Sequence, residues 1–481
     1  MKTAYPDHPL DPEDAPNYNS ERQNWRDAVA RYFQQIEAII IATIKSVYGV
    51  TDDLSDEFLG ELAFRAFFRW AFGTEFWMPD TMSQSQKEFA NKLAEIIEVN
   101  TNQIKYWTVQ KLLDTINPSA WQRLQPYMRT PLIYWQNPKF REQVVKQPNF
   151  LKIIRLVREL WDKAGLVRFL QEQGADEFIP PHTEIFDQWE LSQRRENLIS
   201  SAKERYKECK ERNSQGFVVR AWEWASGGKM IIVKCKGDQI IANWKEITNE
   251  EDLIKAIETA IPPKSRYIEG ILDWEKREPD KKVPQNFLIQ NLIPLTQDQR
   301  PDENLRKESS INFFIDPESW NINLIATTAN IAKWGVHQGN IEMVLPYKVV
   351  KKLTQLAQKF QQYWYRGPLG FDFAWKWTTN WDVEIVIFEA NTRFTAPWSG
   401  AMLAHKLRNK FDGYPDFALN QHCEECDIDL PSQISWPTST VPFSPPTKSE
   451  QGIIVLGKNP WDKIKDIMWN STRKIAEALI K

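Results

Sequence analysis

The fold is decided by two strand-like pieces of sequence, Gly370-Phe371-Asp372-Phe373 and Phe388-Glu389-Ala390-Asn391-Thr392-Arg393. The polar segment 378–382 lies between them and predicts the turn of a β-hairpin. With the turn centred on Asn380-Trp381, Asp372 lies directly opposite Glu389. Opposed residues of an antiparallel pair have Cα atoms about 4.5–5.5 Å apart. The pattern therefore predicts two carboxylates facing each other across the hairpin.

The side chains on this face are suited to a divalent cation. Alternation along the second strand places Glu389, Asn391 and Arg393 on one side of the sheet. Two close carboxylates repel each other unless positive charge lies between them, and Mg²⁺ takes oxygen ligands that it shares with phosphates. The alternative is a solvent-facing hairpin with ordinary surface charges. The apolar flanking residues indicate a partly buried setting, and the residues alone leave both alternatives open.

At these residues the sequence resembles the ATP-grasp superfamily, whose signature is an acidic residue, a hairpin and then Glu-x-Asn. Glu389-Ala390-Asn391-Thr392 is similar to the ending found in D-alanine–D-alanine ligases, and the following Arg393 is similar to the catalytic arginine of biotin carboxylases. The resemblance implies that Asp372, Glu389 and Asn391 bind Mg²⁺, with Mn²⁺ as a substitute. It also implies that Arg393 contacts the reacting phosphate or the intermediate.

A glycine-containing segment resembles the strand, loop and strand that cover the ATP phosphates in this superfamily. Adjacent glycines let backbone N–H groups approach phosphate oxygens, and a lysine adds positive charge. A simple Gly-Gly hairpin turn is the alternative. The family usually has Lys where this chain has Arg220. The phosphate-binding residues that the resemblance implies are Arg220, Ser226, Gly227, Gly228 and Lys229.

Three further pieces resemble parts of an ATP-binding cleft. Asp162-Lys163, followed by a helix that Gly174 ends, is similar to the opening of an ATP-grasp domain. The stretch 287–294 resembles the hinge that pairs with adenine, and Glu308 would bind the ribose hydroxyls. The cofactor-binding residues implied here are Lys163, Gln290, Leu292 and Glu308. For Gln290 and Glu308 the alternative is a polar group at a strand edge.

The order of patterns predicts an α+β chain in which a helical N-terminal domain precedes an ATP-grasp fold of two α+β subdomains that clamp ATP. The predicted domains are 1–150, helical; 151–430, ATP-grasp, with a lid subdomain at 216–300; and 431–481, a linker and a C-terminal strand and helix. Arg26–Tyr48 carries apolar residues at helical spacing, which is why the first domain is predicted to be helical.

Composition limits the classes of partner. The chain has 481 residues, a net charge of −3 and a sequence pI of about 6.1, so no basic field favours nucleic acid. With 42% hydrophobic and 26% charged residues, it is not a wholly disordered chain. No apolar run is long enough to span a membrane, and we expect a soluble cytoplasmic protein. The 22 Trp residues indicate core packing, with aromatic ligand walls as the alternative.

The four Cys residues fit a reducing compartment. Cys209 and Cys235 lie far from the others and are expected to be structural thiols. His422, Cys423 and Cys426 form an incomplete metal motif whose role is open, because a zinc site normally needs four ligands. Structural thiols are the expectation for Cys423 and Cys426 as well.

The resemblance implies an ADP-forming carboxylate–amine ligase that works through an acyl phosphate, on an amino acid or a peptide. Its partners are then small-molecule or peptide carboxylates and amines, and the resemblance also allows for a homodimer. A small-molecule kinase on the same fold and a non-catalytic nucleotide-binding scaffold are the alternatives. His337 is either a structural residue or a residue of the site.

Overall fold

The computed structural model describes residues 18–35, 39–41, 75–79, 82–107, 156, 160, 163–187, 191–211, 214–221, 230–236, 239–242, 245–260, 286–296, 306–333, 336–378, 380, 382–392, 394–424, 428–431, 434, 437–442, 450–458, 460, 462–464 and 466–467. Within these ranges the helices are α1 (Tyr18–Gln35), α2 (Gln84–Ile96), α3 (Lys163–Glu172), α4 (Leu191–Lys210), α5 (Glu250–Ala260), α6 (Tyr347–Gln362) and α7 (Ala396–Lys406).

The strands of the same ranges are β1 (Ile39–Ile41), β2 (Glu75–Pro79), β3 (Ile104–Trp107), β4 (Glu184–Phe186), β5 (Gly216–Ala221), β6 (Met230–Lys236), β7 (Gln239–Ala242), β8 (Lys245–Glu246), β9 (Phe287–Asn291), β10 (Leu295–Thr296), β11 (Arg306–Ile315), β12 (Ile322–Lys333), β13 (Val336–Glu342), β14 (Gly367–Trp377), β15 (Val383–Asn391), β16 (Asp416–Glu424), β17 (Thr438–Pro442) and β18 (Glu450–Gly457).

The larger sheet has nine strands in the order β15-β14-β11-β12-β13-β16-β18-β17, with β10 paired to β11. A smaller sheet has six strands in the order β4-β9-β5-β6-β7-β8. Apart from the parallel β10–β11 pair, neighbouring strands in both sheets are antiparallel. The mixture of helices and two sheets confirms the predicted α+β class.

One face of the larger sheet is apolar and is covered by α3 and α6. Helix α6 buries Leu353, Leu356 and Phe360 against inward-facing residues of β11 and β14, including Phe371. Gly174 has a φ of +58° just after α3, a conformation that glycine adopts without steric cost. The predicted end of α3 at Gly174 is therefore confirmed.

The opposite face is apolar only in part, and α1 and α7 pack on one end of it. Arg22 and Arg26 of α1 are almost fully buried and both contact Glu342 of β13, at 3.0 and 2.5 Å. Arg22 also pairs with Asp416 at 2.8 Å, and both guanidiniums lie over the Tyr414 ring. This buried ion cluster fixes α1 to the larger sheet.

The expected helical N-terminal domain is not confirmed. In addition to α1 and α2, the described part of 1–150 contains β1, β2 and β3, which form a parallel three-stranded sheet. Strands of parallel sheets are apolar on both faces, so their sequences lack the alternation of apolar and polar residues that marks other strands. The run Ile39-Ile40-Ile41 lacks this alternation and is therefore also compatible with the apolar side of a helix. The predicted domain boundaries remain predictions, and the predicted helix at 59–72 lies outside the described residues.

The predicted linker after residue 431 contains strand β17, which pairs with β18 at the end of the larger sheet. Thr438–Val441 is rich in β-branched residues, and Pro442 lies at the strand's last position. Proline is tolerated there because an edge strand has no second neighbour that needs its N–H. The Ser/Thr/Pro-rich composition of this segment indicated a linker, whereas residues Thr438–Pro442 form a strand.

Cys209 and Cys235 form a disulfide, so the expectation that they are thiols is wrong. Cys209 lies in the last turn of α4 and Cys235 lies in β6, with Cα atoms 5.8 Å apart. Helix α4 packs across the smaller sheet, and this packing joins residues 26 positions apart in sequence. Spacing along the chain gives no sign of that contact.

Among the described helices, none has both the length and the apolar character needed to cross a membrane.

Candidate active site

Asp372 and Glu389 are opposed across the β14–β15 hairpin, as the sequence predicts. The turn is centred on Asn380, since Trp377 pairs with Val383. A bulge at Phe388 then shifts the register by one residue and places Glu389 opposite Asp372. The predicted facing pair is confirmed, although the bulge rather than the turn centre produces it.

Asn391 orients Asp372. Its Nδ2 atom donates a hydrogen bond of 2.9 Å to Asp372 Oδ2, and the Asn391 side chain is 4% exposed. In this orientation the Asn391 amide oxygen points away from Asp372. Only this oxygen, and not the amide nitrogen, could bind a metal ion. The structure therefore brings the three predicted metal ligands, Asp372, Glu389 and Asn391, together. Within this group Asn391 is a hydrogen-bond donor to Asp372.

Lys163 brings a cation to the hairpin from the start of α3. Its Nζ atom lies 2.8 Å from Glu389 Oε2, and its side chain is 10% exposed. Burial lowers the pKa of the Lys163 ammonium, the Glu389 carboxylate opposes this shift, and the Arg220 guanidinium adds to the lowering. The predicted site residue Lys163 is thus in direct contact with a predicted metal ligand.

Arg220 brings a second cation from the smaller sheet. Its Nη1 atom donates to the Phe388 carbonyl oxygen at 3.1 Å, so the bulged residue of β15 provides the acceptor. Burial lowers the pKa of Arg220, while the charges of Glu389, Asp372 and Glu308 act in the opposite direction. This contact places the end of β5 against the carboxylate hairpin.

Glu308 provides a third carboxylate, on β11 next to β14. Burial raises its pKa, the nearby Asp372 charge raises it further, and a hydrogen bond from Asn330 and the charge of Arg220 lower it. Asn330 Nδ2 donates to Glu308 Oε1 at 3.4 Å. Glu308 therefore belongs to the same charged group as the hairpin.

The predicted hinge is β9 together with the residues that follow it. Gln290 is 5% exposed and lies opposite Val218 of β5. The Leu292 N–H donates to the Gly216 carbonyl oxygen at 3.0 Å. A contact between Leu292 and adenine through that N–H is not available in this arrangement, since strand pairing already uses the donor.

Arg393 and the loop residues Ser226, Gly227, Gly228 and Lys229 lie outside the described residues. The loop's flanks are described, and Arg220 pairs with Met230, so 222–229 connects two paired antiparallel strands. The side chains of His337, His422 and Cys423 lie outside the described part of the chain, as does residue Cys426.

The described donor set fits a magnesium–nucleotide complex. Within the described ranges, no group of three His, Cys, Asp or Glu residues could hold a metal alone. Mg²⁺ bound with a nucleotide needs only one or two carboxylates, because phosphates and water fill its remaining positions. Asp372 and Glu389 supply the two carboxylates, and Lys163 and Arg220 supply positive charge beside them.

A polar row extends from this site across the larger sheet. Ser310 of β11 is paired with Asp372 on one side and with Thr328 of β12 on the other, and Thr328 is paired with Glu342. The row ends at the buried ion cluster of α1. Sequence reasoning missed Asn330, Asn340 and this row, because isolated Asn, Ser and Thr residues carry no local signal of a shared face.

No protein-family model and no curated protein matches the chain. Solved structures that are similar to it include a carboxyaminoimidazole ribonucleotide synthase from Aspergillus clavatus complexed with ATP, at 9% identity, covering 92% of this chain and 99% of that one, with a TM-score of 0.46. Another is the biotin carboxylase domain of the 2-oxoglutarate carboxylase from Hydrogenobacter thermophilus, in complex with MgADP, ADP and bicarbonate. It is 10% identical, the match covers 90% of this chain and 89% of that one, and the TM-score is 0.47.

A D-alanyl-alanine synthetase from Vibrio cholerae is similar at 14% identity, over 53% of this chain and 61% of that one, with a TM-score of 0.31. All three are ATP-grasp enzymes. At these identities and TM-scores, the functional assignment of this chain depends on its own residues and their geometry.

Proposed function

We propose that the chain is an ATP-grasp enzyme that binds Mg·ATP between its two larger sheets. The observation that carries this proposal is the convergence of four charged side chains from separate elements: Asp372 and Glu389 from the hairpin, Lys163 from α3 and Arg220 from the smaller sheet. Such a group is costly to bury without a ligand, and a phosphate–metal complex complements both signs of charge.

The proposed reaction is ADP-forming ligation of a carboxylate to an amine, on an amino acid or a peptide. The substrate carboxylate attacks the γ-phosphate of ATP to give an acyl phosphate and ADP. An amine then attacks the acyl carbon, and the products are an amide and inorganic phosphate. Mg²⁺, or Mn²⁺ in its place, would neutralise phosphate charge when bound. The chain's own contribution is mainly positioning and charge stabilisation.

Each residue has a specific part in this proposal. Asp372 and Glu389 hold the metal, and Asn391 fixes the Asp372 carboxylate through its amide hydrogen. Lys163 and Arg220 bind phosphate oxygens as charge-assisted donors. The proposed site is completed by the segment with Ser226, Gly227, Gly228 and Lys229, by Gln290 at the hinge, by Glu308 at the ribose and by Arg393 at the reacting phosphate.

The test is release of ADP and phosphate from Mg·ATP when the protein is given pooled amino acids, short peptides and other carboxylates. Release that requires both a carboxylate and an amine would support a ligase. Release without an amine, with the phosphate retained on the substrate, would instead make the protein a kinase. Mg-dependent ATP binding without turnover on any pool would favour a non-catalytic scaffold.

Replacing Arg220 by methionine should weaken ATP binding by about tenfold or more, because a charge-assisted hydrogen bond contributes roughly 1.5–3 kcal/mol. The Phe388 carbonyl would also lose its donor from the smaller sheet. The measurement is the Kd for Mg·ATP by calorimetry.

The matched control for that change is Lys255→Met, an exposed residue of α5, which packs on the face of the smaller sheet opposite to Arg220. This variant loses one positive charge away from the hairpin and should keep the wild-type Kd within about twofold. Equal weakening in the two variants would show that general charge, rather than the Arg220 site, attracts the nucleotide.

A further inference from the structure

Asn340 lies on β13, a strand that the proposed function leaves without a role. Its Nδ2 atom donates to Thr328 Oγ1 at 3.1 Å and to Asn330 Oδ1 at 2.8 Å. Asn330 in turn donates to Glu308. A chain of amide hydrogen bonds therefore connects a residue of β13 to the third carboxylate of the site.

We propose that Asn340 and Asn330 are positioning residues that fix the Glu308 carboxylate against the ribose hydroxyls of the nucleotide and so make the site selective for ribonucleotides. The inference rests on the proposed function, since it requires that ATP binds in this cleft. It adds the residues that set selectivity for the sugar.

The direction of the amide chain follows from the chemistry of the groups. A carboxamide has one accepting oxygen and one donating nitrogen. Because Asn330 Oδ1 accepts from Asn340, the Asn330 nitrogen is turned toward Glu308. Without Asn340, the Asn330 amide keeps only its 3.4 Å hydrogen bond to Glu308, so the amide and the carboxylate both lose the contact that holds them in place.

Asn340 is itself firmly held. It is 1% exposed and its acceptor Thr328 is 0% exposed, so both lie in the interior of the larger sheet. At the preceding residue, Gly339, a Cβ atom would lie 1.9 Å from the Leu419 carbonyl oxygen of β16. The missing side chain lets β13 lie close against β16, which fixes the backbone from which the Asn340 amide projects.

Glu308 is located where the sugar of the nucleotide is expected. The preceding part of β11 pairs with β10, at Leu295 with Arg306, directly after the hinge. Glu308 is also paired with Ala374, two residues from Asp372 on the same strand. A nucleotide with its base at the hinge and its phosphates at Asp372 places its sugar between them, beside Glu308.

The experiment measures the Kd values of ATP, 2′-deoxy-ATP and 3′-deoxy-ATP with Mg²⁺ by calorimetry. The wild type should bind at least one deoxynucleotide about tenfold more weakly than ATP, since loss of a hydrogen bond to a charged group has this effect. Asn340→Ala should bind ATP as weakly as that deoxynucleotide and should leave the deoxynucleotide's Kd unchanged. Glu308→Gln should give the same loss of selectivity.

The matched control is Asn323→Ala, which removes a buried asparagine near the start of β12. It should retain the wild-type ratio of Kd values. Asn330→Ala provides a second test at a half-buried position, in case Asn340→Ala does not fold, and it should also lose selectivity.

The outcomes separate this inference from the proposed function. A wild type that binds all three nucleotides equally well would overturn the positioning role and leave ATP binding intact. Equal loss of affinity for all three nucleotides in the Asn340 and Asn330 variants would also overturn it, because a purely structural role predicts that result. A wild type that binds none of the nucleotides would remove the proposed function together with the inference.

Discussion

Glu389→Gln will lose Mg-dependent turnover by about a hundredfold to a thousandfold, because removing a charged group that acts in the transition state costs roughly 3–4 kcal/mol and each 1.36 kcal/mol is a factor of ten in rate. The substitution keeps the size of the side chain and removes its charge. It also removes the negative charge that lies 2.8 Å from the Lys163 ammonium. The measurement is steady-state ADP release across a range of Mg²⁺ concentrations.

Glu384→Gln is the matched control, on the same strand β15. The Glu384 carboxylate lies 3.3 Å from Lys376 Nζ and is 38% exposed. Exposed ion pairs contribute about 0–1 kcal/mol, so this variant should fold and turn over as the wild type does. Full activity in Glu389→Gln, with its metal dependence unchanged, would contradict the assignment of Glu389 as a metal ligand.

Glu342→Gln should lower the free energy of unfolding by about 3–5 kcal/mol, the usual cost of removing one partner of a buried ion pair. The Glu342 carboxylate and the two guanidiniums that contact it are 0–2% exposed. After the change, Arg22 and Arg26 remain buried with less negative charge around them. The measurement is the denaturant midpoint of the unfolding transition in which the larger sheet is lost.

Asp382→Asn is the control for that prediction. Its carboxylate pairs with Lys352 at 3.0 Å and is 57% exposed, so its loss should shift the same free energy by less than about 1 kcal/mol. Similar losses in the two variants would show that the buried cluster does not hold α1 on the sheet. A small effect of Glu342→Gln alone would lead to the same conclusion.

The features predicted correctly were those with a strong local pattern. The end of α3 at Gly174 and the facing pair Asp372–Glu389 both follow from spacing within one or two elements. For the facing pair, two adjacent strands and a short turn determine which residues oppose each other. The predicted turn centre was half a residue beyond the observed one at Asn380. The bulge at Phe388 compensates for this difference, so that the predicted pair is still opposed.

The features that were missed depend on contacts between distant segments. The parallel sheet β1-β2-β3 pairs strands that are separated by long stretches of sequence, and short parallel strands resemble pieces of buried helix. The disulfide depends on how α4 crosses the smaller sheet. The amide chain from Asn340 to Glu308 depends on the register of three strands, and single-sequence patterns do not specify this register.

The most direct test of the account is a calorimetric titration of the wild-type protein with ATP, once with Mg²⁺ present and once with a chelator. If Asp372 and Glu389 share a metal with the phosphates, ATP will bind measurably with Mg²⁺, and its affinity will fall by at least about tenfold without the ion. Binding that is the same in both titrations would contradict the metal site. Absence of ATP binding in both would contradict the central claim that this cleft holds a nucleotide.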